Sequence, residues 1–381
     1  MIVRARPEVD EELILGLLSD KHCEKQRYNG NCFFYNSGAN ALLEFLLLHG
    51  GNKRVGIQVF TCSTVKDAIL KANDIPVFFD IDPDCFSTNY QQIFEKIDQI
   101  DILILTHLFG IPNPDVEKIN NLCKENNVVL INDLCQTYHS KVNGMHVEDI
   151  SENFFYSFFY DKPISCMYGG MLSVGTQYVE QMHKRYDQLP KRNNKRGKRH
   201  LHQLLLFGRL TSPLYYKRDF RTGTLWKFLL ELYPMGWSNM LLNKIINSRL
   251  FHIIDRILCY DSNKNSEIER LSDIEIFYIL HMMDHFNSNN QTLMEFFIKN
   301  GLQIPEYLRR SDCECAFSKR GIVRKEYIDI TGEIEIGLYN WPNLLSSDAN
   351  KYPNAQLVTE NYVNIPLYCN EILNDKKYCN D

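Results

Sequence analysis

The residues able to do chemistry gather between positions 128 and 174. The apolar run Val128–Val129–Leu130–Ile131–Asn132 ends in Asp133, which puts a carboxylate at the carboxyl end of a predicted strand, and Gln136 follows three residues later. A second run, Phe154–Phe159, contains Ser157 and leads through Tyr160 and Asp161 to Lys162, with Gly169–Gly170 behind it. A lysine desolvated enough to lose its proton is a nucleophile that can form an imine with an aldehyde. A carboxylate on a neighbouring strand end is the partner a protonated ring nitrogen needs when the ring serves as electron sink. Upstream, Ser37–Gly38–Ala39–Asn40–Ala41 opens a predicted helix. A small-residue turn at a helix N-terminus offers free N–H groups and the positive dipole end to a phosphate. Singly, each piece has a plainer reading: a surface lysine, a turn carboxylate, an ordinary loop-to-helix junction. Their order and spacing together make the case.

These residues need elements to hold them. From about residue 35 to 175 the chain alternates β-rich runs with helical patterns. Strands are expected at Val55–Val59, Pro76–Asp80, Ile102–Thr106, Val128–Asn132, Phe154–Phe159 and Met171–Val174. Helices are expected at Ala39–His49, Thr64–Ala72, Asn89–Ile97 and Val116–Asn126. Runs as continuously apolar as Ile102–Leu105 and Val128–Ile131 suit a sheet buried on both faces. The alternation predicts an α/β fold with a mostly parallel sheet, whose ligands collect at the strands' carboxyl ends. After about residue 266 the pattern turns α+β, with a helix over Asp273–Asn287 and short strands near Glu333–Gly337 and Tyr362–Ile365. A large domain over 1–250 and a small domain over 251–381 follow from that change.

Composition narrows the class. The chain has 381 residues, too many for one small core. Its 44% apolar and 23% charged residues are the balance of an ordinary globular protein. A net charge of −5 gives no whole-chain reason to expect nucleic acid. Twelve cysteines, scattered along the chain without CxxC spacing, read as reduced thiols in a cytoplasmic setting. No signal-peptide core opens the sequence, and no stretch reaches the about 18 uncharged apolar residues of a membrane span.

In this order the motifs resemble the DegT/StrS-like sugar aminotransferases, pyridoxal 5′-phosphate (PLP) enzymes of fold-type I. The phosphate turn is similar to Ser37–Gly38–Ala39–Asn40–Ala41–Leu42, and the Pro-Val-Phe-x-Asp-Ile-Asp segment to Pro76–Asp82. His107–Leu108–Phe109–Gly110, Asp133–Leu134–Cys135–Gln136 and Ser157–Lys162 match the three strand ends. Arg270–Leu271–Ser272–Asp273–Ile274, Tyr339–Asn340–Trp341–Pro342 and Asn364–Ile365–Pro366–Leu367 continue it, so the resemblance spans about residues 30–368. It implies a three-layer α/β/α large domain with a smaller α+β C-terminal domain. It makes Lys162 the catalytic residue, carrying the cofactor as a Schiff base and shuttling a proton. Asp133 would pair with the pyridine nitrogen and Gln136 with the phenolic oxygen. Ser157 with the Gly38 and Ala39 amides would hold the phosphate, and Asn40 would add a contact. The implied reaction passes an amino group, from glutamate, to a nucleotide-linked keto-sugar. A cytoplasmic homodimer serving sugar or polysaccharide biosynthesis is the implied setting. A PLP-dependent dehydratase or other lyase, and a non-catalytic relative, are the alternatives.

The chain departs from the pattern at three places. Cys62 stands where an aromatic residue usually stacks on the ring, Ala39 replaces the threonine of the phosphate turn, and Ile268 replaces an asparagine. His107 and His139 are tempting acid–base groups, but the plainer reading is a hydrogen-bonded structural histidine. Asp80 and Asp82 lack a third metal ligand at a useful spacing and read as a solvated turn. Residues 183–250 look like an insertion, with a basic run at Lys191–Arg199 and apolar helical stretches at Leu204–Leu210 and Leu225–Leu242. The plain reading is a solvated basic loop with helices packed on the body. The functional one is an anion-facing lid touching a nucleotide diphosphate or, peripherally, a membrane surface.

Overall fold

The computed structural model describes residues 7–19, 30–210, 267–286, 298, 306–315, 320–325, 342 and 344–366. The expected helix at Leu225–Leu242, the strand near Glu333–Gly337 and the domain boundary near residue 250 lie outside these residues.

A seven-stranded sheet carries the structure. Its strands are β1 (Cys32–Tyr35), β2 (Arg54–Gln58), β3 (Ile75–Phe79), β6 (Ile102–Thr106), β7 (Val129–Asp133), β10 (Phe154–Ser157) and β11 (Gly170–Ser173). Two short strands, β4 (Ile81–Asp82) and β5 (Ser87–Thr88), pair with each other; β8 (Lys141–Val142) pairs with β9 (Met145–His146). The sheet order is β1-β11-β10-β7-β6-β2-β3. Five neighbouring strands from β10 to β3 are parallel, and β11 runs antiparallel between β10 and β1. Six strands fall within one or two residues of their expected places. β1 was not expected: it is only four residues, Cys-Phe-Phe-Tyr, with no alternation to reveal it.

The middle of the sheet is buried on both faces because its strands are largely apolar. In β6, Leu103 and Leu105 face one core while Ile102 and Ile104 face the other. The first core takes α1 (Glu11–Leu18), α5 (Val116–Glu125), α8 (Asn194–Leu210) and the helix Asp273–Asp284; α4 (Tyr90–Glu95) and α6 (Val147–Ile150) lie along its edge. The second takes α2 (Gly38–Leu48), α3 (Ser63–Lys71) and α7 (Val179–Tyr186). The result is the expected three-layer α/β/α arrangement. A third cluster joins Val59, Phe60, Phe86 and Leu108 to Ile322, Ala355 and Val358 from the C-terminal pieces. There β13 (Arg320–Arg324) pairs antiparallel with β14 (Tyr362–Pro366), and β12 (Cys313–Glu314) extends β8.

Two expectations are corrected. Asp80 is not in a solvated turn: it is buried, and its carboxylate accepts N–H bonds from Ile81 (2.9 Å), Asn354 (2.9 Å) and Ala355 (2.8 Å). The last two are first-turn amides of the helix Pro353–Asn361, so Asp80 caps that helix from a distant part of the chain. The basic run is likewise not simply a solvated loop. Arg192 is buried, 2.5 Å from Glu275 and 2.8 Å from Glu269; Arg196 pairs with Glu269 and Lys191 with Asp273. From Asn194 the run is already helix α8. Burial raises the pKa of Glu275, but the bond from His200 and the charge of Arg192 outweigh it and bring the carboxyl down to about 2.

Asp80→Ala should lower stability by about 2 kcal/mol or more, read as a urea midpoint, whereas Asp82→Ala should change it by no more than about 0.5 kcal/mol. Arg192→Ala strands a buried carboxylate and should cost about 3 kcal/mol or more; a loss no larger than that of Lys195→Ala would contradict the internal pairing.

Candidate active site

Parallel strands bring their carboxyl ends to one edge, so Tyr35, Gln58, Phe79, Thr106, Asp133 and Ser157 all finish there. The antiparallel β11 begins at the same edge, which returns Gly169 and Gly170 to the loop after β1: Ser37 bridges Gly169, and Ser157 stands opposite Gly170. The approach is too close for side chains. A Cβ on Gly170 would meet Gly38 N and the Ser37 carbonyl at 2.4 Å, and one on Gly38 would meet the Ser157 Cβ at 2.8 Å. Glycine is required at both positions by contact alone.

Ser37 caps α2, its Oγ accepting from Asn40 N at 3.1 Å. Gly38 and Ala39 begin the helix, where no preceding turn supplies carbonyl partners for their amides. No acidic residue lies in that turn to offset the dipole. Asn40 is otherwise occupied: its Nδ2 donates to Asn36 Oδ1 at 2.7 Å.

Asp133 is buried at the end of β7, one oxygen accepting the Cys135 amide at 3.1 Å. Burial pushes its pKa up; the Cys135 bonds and the positive charge of Lys162 pull it back. Lys162 is therefore near enough to act electrostatically on Asp133, and it acts on the Cys135 thiol as well. The Lys162 loop is closed by short-range bonds: Lys162 N to the Phe159 carbonyl, Ser165 Oγ to the Tyr160 and Lys162 carbonyls, and Cys166 N to the Phe158 carbonyl. Gln136 is buried and accepts the Phe109 amide at 3.0 Å. That bond holds Phe109 at φ 58°, a left-handed conformation costly for an aromatic residue. Cys62 precedes α3, half-buried, its Sγ 3.1 Å from Thr64 Oγ1. Its thiol also acts on Cys135, which sets Cys62 beside the Asp133 strand end.

The two histidines separate from this group. His107 is fully buried: Nδ1 accepts from Asn113 N at 2.9 Å and Nε2 lies 3.1 Å from Asn132 Oδ1. Both nitrogens serve the framework, and burial lowers its pKa to about 4 despite the Asn132 bond. His139 sits edge-on to Tyr138 and His146, its backbone N–H donating to Glu148. Sequence reasoning missed Asn36, the residue between β1 and the phosphate turn. A buried amide side chain directly before a Ser-Gly turn was its only signal.

The residues fit PLP. Amides at a helix start with Ser157 would make an anion seat, and a desolvated carboxylate suits a protonated ring nitrogen. Lys162, whose charge acts on that carboxylate, would supply the amine. Fold and site together define a fold-type I PLP-dependent transferase. Solved structures agree on the fold. An aminotransferase from Streptoalloteichus hindustanus superposes with a TM-score of 0.65 at 14% identity, covering 96% of this chain and 93% of that one. A sugar aminotransferase from Micromonospora echinospora gives 0.63 at 13%, covering 96% and 95%. Residues 21–209 match the DegT/DnrJ/EryC1/StrS aminotransferase family, and the chain belongs to that family, whose cofactor is PLP. Among curated relatives, the GDP-perosamine synthase of Vibrio cholerae is 25% identical over 152 residues, 40% of each chain. That of Escherichia coli O157:H7 is 31% identical over 107 residues, 28% of this chain and 29% of its own. A pleiotropic regulatory protein of Geobacillus stearothermophilus is 31% identical over 125 residues, 32% and 33% of the two chains. The chain thus spans less than half the length of the curated relatives it matches. Among the described residues, no helix is long and apolar enough to cross a membrane, and no disulfide forms.

The buried His107 ring carries a testable pH dependence. Its pKa is about 4 when folded and 6.5 for a free histidine, so the neutral ring contributes stability that is complete above pH 6.5 and is lost as pH falls toward 4. Between those limits the wild-type protein should lose about 3 kcal/mol more than a His107→Asn variant. Parallel slopes of urea midpoint against pH would contradict the neutral, buried assignment.

Proposed function

We propose that this protein transfers an amino group from glutamate to a keto-sugar linked to a nucleotide. The observation that carries the reading is the convergence at the sheet edge: the buried carboxylate of Asp133 ends β7, and its parallel neighbour β10 ends at Ser157 and leads into the Lys162 loop, whose charge acts on that carboxylate. When bound, PLP supplies an aldehyde for imine exchange and a ring that accepts the electrons of a carbanion. Asp133 would hold a proton on the ring nitrogen by placing an anion in a site with little water. Gln136, its Oε1 held by the Phe109 amide, would offer its amide nitrogen to the phenolic oxygen, and Ser157 with the Gly38 and Ala39 amides would hold the phosphate. Lys162 Nζ would be the base that takes the proton from the donor Cα and, in the second half-reaction, the acid that gives a proton to the sugar carbon that receives the nitrogen.

Glutamate and the nucleotide link rest on the family and on the naming of two relatives as GDP-perosamine synthases. The same grounds support a cytoplasmic homodimer with equivalent sites and a role in sugar or polysaccharide biosynthesis. We also propose the division into a large domain over 1–250 and a small one over 251–381, the latter closing over the sheet edge through Leu344–Leu345. Leu345 N donates to the Val59 carbonyl at 2.9 Å, two residues before Thr61 and three before Cys62.

Incubation of the purified protein with glutamate and a panel of keto-sugar nucleotides should release 2-oxoglutarate. Lys162→Ala should lower that rate at least about a thousandfold and abolish the visible band of the bound cofactor. Elimination from the sugar without 2-oxoglutarate would favour a lyase, and a band unchanged by Lys162→Ala would remove the proposal's basis.

A further inference from the structure

Asn36 separates β1 from the capping Ser37 and is 4% exposed. Its backbone N–H donates to the Glu269 carbonyl at 3.0 Å, and its Nδ2 to the Glu267 carbonyl at 3.0 Å. Its Oδ1 accepts from Asn40 Nδ2 at 2.7 Å and from the Glu269 amide at 3.5 Å. One side chain thus ties the first turn of α2 to the strap 267–270. The strap is itself fixed. Glu269 binds Arg192 and Arg196, the Arg270 amide donates to the Pro190 carbonyl at 2.9 Å, and the Leu271 amide donates to the Phe34 carbonyl at 3.2 Å.

We infer that Asn36 is a positioning residue for phosphate binding: it holds the Gly38 and Ala39 amides in place by fastening Asn40 to the strap. The inference rests on the reading of this turn as the PLP phosphate seat. Ala39 offers no hydroxyl, so the turn binds an anion largely through backbone N–H groups, whose directions follow the helix start itself. Glycine at 38 makes that start easy to deform, and Asn36 is the side chain that reaches it from a rigid neighbour. The basic run thereby takes part without touching the anion: Arg192 and Arg196 hold Glu269, and the Glu269 backbone holds Asn36.

The test compares PLP with pyridoxal, which lacks the phosphate, in titrations of cofactor-free full-length protein. Asn36→Ala should weaken PLP binding about tenfold to a hundredfold while changing pyridoxal binding by less than about twofold. Asn40→Ala removes the same 2.7 Å bond from the helix side and should do likewise, which keeps the test open should Asn36→Ala not fold. The control is Asn120→Ala, a buried asparagine on α5 whose side chain donates to the Ile150 carbonyl; it should lower stability and leave both affinities alone. Equal weakening of PLP and pyridoxal, or of neither, would overturn the assignment. Wild-type protein that binds PLP no better than pyridoxal would overturn the phosphate seat itself, a distinct result.

Discussion

A carboxylate taken out of water at Asp133 sets the terms for the rest of the site. An anion buried without compensation is costly, and the fold answers it only in part, with the Cys135 amide and the charge of Lys162. A protonated ring nitrogen at that place would add to this compensation and, by gaining an anionic partner, become a stronger electron sink. On the proposed reading, the phosphate seat, the lysine and the glutamine would be groups set around one ring that Asp133 orients.

Topology supplies the convergence. Neighbouring parallel strands end on one edge, so the side chains there come from separate stretches of chain without long detours. The one antiparallel strand, β11, does what a parallel strand cannot: it starts at that edge and lays Gly169–Gly170 against Ser37–Gly38. The 2.4 Å approach that a Cβ at Gly170 would face shows how tightly the two loops are matched. That contact bonds the strand of the phosphate turn to the strand that follows the lysine loop.

Much of this was legible in the sequence, and what was hidden shares a cause. Six sheet strands were visible because apolar runs bounded by turn residues report burial directly. Asp133 and Lys162 stood out by following such runs, and Ser157 by lying within one. His107 was correctly read as structural, since a histidine inside an apolar strand end needs two partners more than it needs solvent. Apart from the short strand β1, the failures were long-range polar partnerships. Asp80 looked solvated because the amides it caps lie some 270 positions away. The Lys191–Arg199 run looked like a free basic patch because Glu269 and Glu275, its partners, are distant in sequence. Local spacing reports periodicity and turns; it holds no record of which distant acid a given arginine will meet.

The three departures from the family pattern can be set against this geometry. Ala39 removes a hydroxyl from the phosphate turn, yet the amides it leaves are those the helix start already directs outward. Ile268 removes an amide side chain from the strap, but Asn36 and Asn40 form an amide pair on the other side of the same contact, and Ile268 packs into the second core instead. Cys62 is different. A thiol presents a smaller, softer surface to a ring than an aromatic side chain does, and among the described residues its neighbours are Thr64 and the thiol of Cys135. The ring would thus rest more on its ends, at Asp133 and at the phosphate, than on its face. A site built so depends on the stiffness of its two termini, which is where the buried hydrogen bonds of Asn36 and the desolvation of Asp133 are found.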